Sequence, residues 1–290
     1  MADKRDIITT PRTIELLRKK RKHQHAIAVV FFFLFVGLVI GLSYFSKYPK
    51  FVVTDIKVEG THIIDAQAVG DLVMEDISGN YIYLFKKANT FILPEAKIRE
   101  DILEKFQRTE KLEIKRVGFR TLLITISERS GSYLWCGSSI PTDSKKLGDD
   151  CYFLNTDGYI FDTAPYFSGN VYFKFYVPLG DKVEPMGAYV LTSETFKSII
   201  SFIDGVTALG LHPISVVMND EKQYELYLSS TITSNPKILF NKESDLTTIL
   251  SNLTAAINKP EFKNDVLSKY STLNYIDLRF KNKVLYKFNE

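Results

Sequence analysis

Twenty consecutive residues, Ala26 to Phe45 ("AIAVVFFFLFVGLVIGLSYF"), contain no charged side chain. Coiled into an α-helix they would reach about 30 Å, the thickness of a bilayer's hydrocarbon core. The run is not amphipathic, which disfavours a buried core helix. A cleavable signal peptide has a shorter apolar stretch and ends on a small-residue site, whereas this run closes on Ser43-Tyr44-Phe45 and then Lys47. Residues 26–45 therefore read as an uncleaved transmembrane helix.

The flank sets the direction. Met1 to His25 carries eight Lys/Arg against three Asp/Glu, five of them in the run Arg18-Lys19-Lys20-Arg21-Lys22. Basic flanks stay in the cytoplasm, so residues 1–25 are a cytoplasmic head and everything after the anchor faces outward from a cell (inner) membrane. The same run suits contact with anionic membrane lipid. No aromatic residue is interleaved with it and the remainder of the chain is slightly acidic, so nucleic acid is not expected as a partner.

Beyond the anchor the residues alternate between strand and helix periods. Phe51 to Glu59 reads as a strand ending at Gly60. Asp65 caps a short helix through about Met74, with Ile64 and Val69 placed as a hydrophobic staple. "SGNY" (78–81) is a turn, and Pro94 opens a second helix with Ile98, Ile102, Leu103 and Phe106 on one face. "KLEIKRVGFRTLLITISER" then forms a β-hairpin broken near Gly118. The order strand, helix, helix, strand, strand fills residues 51–129. In it Ile56, Val58 and Gly60 are fold determinants.

Residues 130–290 read as a mixed or antiparallel β-domain with peripheral helices. One helix spans Ser193 to Leu209, and Ser244 caps another whose buried stripe runs from Leu246 to Ile257. "YIDLRFKNKVLYKF" (275–288) alternates at Ile276, Leu278, Phe280, Val284, Tyr286 and Phe288, as one long strand or a tight hairpin. The fold class is thus α+β.

The two cysteines, Cys136 and Cys151, flank the loop "GSSIPTDSKKLGDD". Outside a membrane they could close it as a disulfide, while two free thiols in a reducing setting are equally consistent with the spacing. Two further ligands for zinc are not visible.

"IKVEGTHIID", "RVGFRTLLITISER" and "YIDLRF", in this order behind a single anchor, resemble the FtsQ/DivIB cell-division proteins. "YLWC", "CYFLNTDGYIF", "YVPLG", "SVVMNDEKQYELYLSS" and "KILF" resemble strands of that family's β-domain. The resemblance implies a POTRA-like domain at 51–129 and a partner-binding terminal strand in the β-domain. It also implies a divisome scaffold at the division septum that holds small coiled-coil bitopic division proteins and, through them, influences septal peptidoglycan synthases. Carried over residue by residue, it points to Arg279, Phe280, Asn282, Lys283, Val284, Leu285 and Phe288 as the contact set. Two departures stand out: the hairpin carries Phe119-Arg120 where a proline is common in the family, and Lys283 stands where small residues are common.

Chemistry is sparse. His62 and His212 are the only histidines beyond the anchor, no HExxH, GxSxG or phosphate loop occurs, and Asp157 lies in "NTDG", which suits a tight turn. Neither catalysis nor a cofactor or metal is expected. Two other classes remain as alternatives: a POTRA-type envelope secretion or assembly factor, and a membrane-anchored cell-wall hydrolase acting through Asp157, His62 and His212. The NLT sequon at Asn252, on an expected helix, is a chance pattern, while the GxxxG pair Gly37 and Gly41 would suit packing of the anchor against a partner helix but is common by chance in apolar segments.

Overall fold

A computed structural model describes residues 11–141, 151–180, 184–219, 223–229, 235–262, 266, 269–281 and 283–289, with backbone alone for 11–19. The chain is α+β and divides into two units: residues 1–105 with 111–127, and residues 106–110 with 128–290.

Unit 1 begins with α1 (Pro11–Ser46), in which the segment Lys20–Ser46 is long and apolar enough to cross a membrane. The helix is longer than the uncharged stretch, because Lys and Arg are good helix formers and no breaker separates the two parts. Then follow β1 (Asp55–Glu59), α2 (Ala66–Asp76), the two-residue strands β2 (Asn80–Tyr81) and β3 (Phe85–Lys86), α3 (Glu95–Lys105), β4 (Thr109–Val117) and β5 (Thr121–Glu128). The sheet order is β1-β5-β4, with β1 parallel to β5 from Asp55↔Thr121 to Glu59↔Thr125. The Asp65 side chain accepts from the Gln67 amide at 2.9 Å, which starts α2 at the expected residue. Val69, Val73, Ile98, Ile102, Leu122, Ile124 and Ile126 are buried together in this small core.

Two expectations change here. Phe51 stands in a 3-10 turn (Pro49–Phe51) ahead of β1, because its ring packs with other aromatics instead of extending the strand. The "SGNY" turn opens the β2–β3 hairpin, whose central residues Ile82 (φ 49°) and Tyr83 (φ 61°) take a left-handed backbone that neither type favours.

Unit 2 adds β6 (Tyr133–Trp135), β7 (Tyr152–Leu154), β8 (Ile160–Thr163), β9 (Lys174–Tyr176), α4 (Ser193–Ala208), β10 (Pro213–Met218), β11 (Gln223–Leu228), β12 (Lys237–Asn241), α5 (Leu246–Ile257), the single turn α6 (Pro260–Phe262), β13 (Leu273–Asp277) and β14 (Leu285–Phe288). They build a nine-stranded mixed sheet in the order β14-β13-β12-β11-β10-β9-β6-β7-β8. The pairs β12–β13, β9–β10 and β6–β9 are parallel. Cys136 and Cys151, just after β6 and just before β7, are disulfide-bonded. Most of the loop between them, 142–150, lies outside the described residues.

Alternation on the strands explains the layering. Tyr224, Leu226 and Leu228 of β11 and Ile238 and Phe240 of β12 face a core that receives Phe196, Ile199, Phe202 and Val206 of α4 and Ile249, Leu253 and Ile257 of α5. The helices meet at Gly205, where an added Cβ would stand 2.3 Å from a Leu250 methyl. Asp245, not Ser244, caps α5, its carboxylate accepting from the Thr247 amide at 3.1 Å. The intervening residues on β11, Glu225 and Tyr227, turn to the other face, where the Tyr227 hydroxyl donates to Glu225 at 2.8 Å and Lys237 reaches the same carboxylate at 2.9 Å.

A candidate partner-binding edge

The contact set expected from the sequence lies on and beside β14. Tyr275 to Phe288 is a hairpin, but not a tight one: residues 278–284 connect β13 to β14, with the register Asp277↔Leu285, Ile276↔Tyr286 and Tyr275↔Lys287. The alternation that suggests a single strand persists through the connection for another reason. Leu278 is buried because its amide donates to Leu239 O at 2.8 Å, prolonging the β12 ladder by one residue.

β14 ends the order of the nine-stranded sheet, with β13 as its one lateral neighbour among the described strands. The end strand of a sheet is the place where a further strand can pair. Its side chains divide by parity. Val284 and Phe288 are half-buried against the core, and Tyr286 packs edge-on over Phe262 at 4.9 Å. Leu285 is 46% exposed on the opposite face, with Lys287 beside it in sequence on the same strand.

The remaining residues of the set serve different ends. Phe280 is 51% exposed in the connection, where Lys281 and Lys283 are exposed as well. Asn282 lies outside the described residues. Arg279 is turned inward: its Nε and Nη2 donate to the Asp277 carboxylate at 2.9 and 2.6 Å, and its Nη1 donates to Gln223 Oε1 at 3.1 Å. Burial alone would raise the Asp277 carboxyl, but the hydrogen bonds and charge of Arg279 hold it below the usual carboxylate range. Arg279 therefore organises the start of the connection. The signal for this was the Asp277-Leu278-Arg279 spacing, which puts acid and base on one side of an extended chain.

Asn252 of α5 also takes part. Its side-chain amide donates to Lys281 O at 2.9 Å, tying the connection to the helix. A cleft of about 750 Å³ opens beside it, lined by residues including Asn241, Glu243, Asp245, Thr248, Arg279 and Lys281. The edge is basic on balance: Lys281, Lys283 and Lys287 are exposed, and Lys269 lies 5.8 Å over the Phe288 ring.

The residues weighed for catalysis fall in both units. Asp157 stands in the Asn155–Gly158 turn, where Asn155 Oδ1 accepts from the amides of Asp157 (3.0 Å) and Tyr159 (2.9 Å) and Gly158 adopts φ 80°. Its carboxylate meets Lys197 at 2.7 Å, which lowers its pKa. His212 precedes β10 in the same unit, whereas His62 belongs to unit 1. Among the described residues no group of three or more His, Cys, Asp or Glu side chains could hold a metal ion.

In comparison with known proteins, no family model and no curated protein matches this chain.

Proposed function

We propose that this chain is a single-pass membrane scaffold of the FtsQ/DivIB kind, whose outer β-domain recruits another division protein by accepting a strand along β14. The observation that carries the reading is the place of β14: it is the last strand of a nine-stranded sheet, with exposed Leu285 and Lys287 on one face and a lysine-bearing connection at one end. Strand addition uses such an edge, with main-chain pairing supplying affinity and side chains supplying selection. Phe280 and Leu285 are the apolar anchors, and Lys281, Lys283 and Lys287 favour an acidic segment. The helix Lys20–Ser46 supports a single span, and the basic run before it supports an outward-facing remainder.

Unit 1 supports the POTRA-like part of the reading through its order: one strand, two helices, then a hairpin whose second strand is central and parallel to the first. In this reading the protein performs no turnover. It gathers a small coiled-coil bitopic partner, and through it the septal peptidoglycan synthases, at the division site.

The test is co-purification from detergent-solubilised membranes with the full chain as bait. Recovery of a coiled-coil division protein, reduced at least about tenfold by Phe280→Ala with Lys281→Glu and Lys283→Glu, is the expected result. Recovery that the triple variant leaves unchanged would sink the edge as the binding site. Absence of any division protein would sink the scaffold reading.

A further inference from the structure

Unit 1 carries an exposed apolar surface for which its own fold has no use, and that surface surrounds the end of α1. Ser43 and Ser46, both buried, tie the helix to the domain: Ser43 Oγ donates to Leu84 O at 2.8 Å, Ser46 Oγ accepts from the Lys86 amide at 3.2 Å, and Ser46 O accepts from Asn89 Nδ2 at 3.0 Å. The β2–β3 hairpin is thereby held against the last turn of the helix. Its tip presents Ile82, 81% exposed, and Tyr83, 93% exposed, both in the left-handed backbone region. A β-branched residue in that conformation is strained, and strain of this kind persists where the surrounding structure holds it, often at ligand-binding positions.

A second group of rings continues the surface. Phe51 stacks with Phe45 at 4.9 Å, Phe91 at 5.5 Å and, edge-on, Phe119 at 5.3 Å, while Phe45, Phe91 and Phe119 each remain at least half exposed. Phe119, at the tip of the β4–β5 hairpin, thus belongs to the same surface as the helix end. Lys47 and Lys50 are exposed among these rings.

We infer that this collar is a lipid-binding site: the base of unit 1 rests in the outer headgroup layer of the bilayer that α1 crosses. The inference rests on the anchor reading and follows from distance. If residues 26–45 span the hydrocarbon core, Ser43 lies at its outer boundary, and the interfacial layer extends only about 5–7 Å further. Leu84 O is within hydrogen-bonding reach of Ser43, so the hairpin tip two residues away has no room to stand clear of that layer. Tyr, Phe and Ile with flanking lysines are the composition that settles there, rings at the headgroup level and ammonium groups reaching to phosphate. β1 and β5 run parallel away from this base, which puts Ile63, beyond the far end of β1, at the distal pole of the unit.

The experiment places the full chain in phosphatidylcholine–phosphatidylglycerol vesicles with brominated acyl chains and reads tryptophan quenching. The single native Trp135 lies in unit 2 and supplies a background common to all variants. Tyr83→Trp tests the collar, Phe33→Trp the anchor, and Ile63→Trp the distal pole; all three replaced side chains are exposed, so folding is not at stake. The expected result is loss of at least about half of the added emission for Tyr83→Trp with bromines near the headgroup, and for Phe33→Trp with bromines near the chain ends, with none for Ile63→Trp. Quenching of Phe33→Trp without Tyr83→Trp overturns the collar alone and leaves this surface to a protein occupant. No quenching of Phe33→Trp overturns the anchor reading and the collar with it.

Discussion

Arg279 lies across Asp277, two residues before it, with Nε 2.9 Å from one carboxylate oxygen and Nη2 2.6 Å from the other. Asp277 is 4% exposed, the Arg279 side chain about one third exposed, and the pair sits where β13 gives way to the connection that carries Phe280. A residue expected to meet a partner is engaged first within its own chain. It shapes the edge that others would touch.

Arg279→Ala should therefore lower stability at neutral pH by about 1–3 kcal/mol, since it leaves a buried carboxylate without its donor; solvent access to the guanidinium keeps the loss at the lower end. The Asp277 pKa is lower folded than unfolded, so this stabilisation is present above the ordinary carboxylate range and is lost as pH falls through the folded value. Urea unfolding of both proteins at pH 7 and pH 3 checks it: the gap between them should narrow at pH 3. An equal gap at both would mean that Asp277 does not carry the effect.

Reduction of the Cys136–Cys151 disulfide releases a loop of fourteen intervening residues, which on the chain-entropy model costs about 3 kcal/mol. Thermal melts with and without reductant should show unit 2 melting at lower temperature when reduced. The Cys136→Ser, Cys151→Ser variant should match the reduced protein and ignore the reductant.

Gly60 closes β1 at φ 82°, and an added Cβ would stand 2.2 Å from the backbone oxygen of Ile126 on β5. Neither the backbone angle nor the carbonyl can relax cheaply. Gly60→Ala should cost more than about 2 kcal/mol and speed amide exchange in β1 and β5 first. Gly118→Ala is the comparison: it shares a positive φ but meets nothing within 4 Å, so about 1 kcal/mol is expected.

The triple change Phe280→Ala, Lys281→Glu, Lys283→Glu removes exposed side chains from a connection held elsewhere by Asn252 and Leu278. Unfolding free energy should stay within about 0.5 kcal/mol of the parent while partner recovery falls. Loss of both together would show that the connection is structural.

The parts of this fold written in short-range pattern were readable beforehand. Asp65 announces α2, the stripe at Phe196, Ile199 and Ile203 announces α4, and alternation at Leu122, Ile124 and Ile126 announces β5. What resisted was decided by distant neighbours. The β2–β3 hairpin lacks the Asn-Gly turn chemistry that would betray it, being held by Ser43 and Ser46 some forty residues upstream. Leu278 alternates like a strand residue yet sits in the connection, because β12 accepts its amide. The reach of Arg279 to Gln223 depends on β11 lying two strands away, which no local spacing encodes.

The serine clamps at the end of α1 also limit how unit 1 can swivel about that helix. A helix joined to its domain by three hydrogen bonds and a stack of rings is a keyed shaft rather than a tether. If residues 26–45 cross a bilayer and a neighbouring helix grips the Gly37–Gly41 side there, that grip sets the compass heading of unit 1, and rotation in the lipid becomes azimuth beyond it.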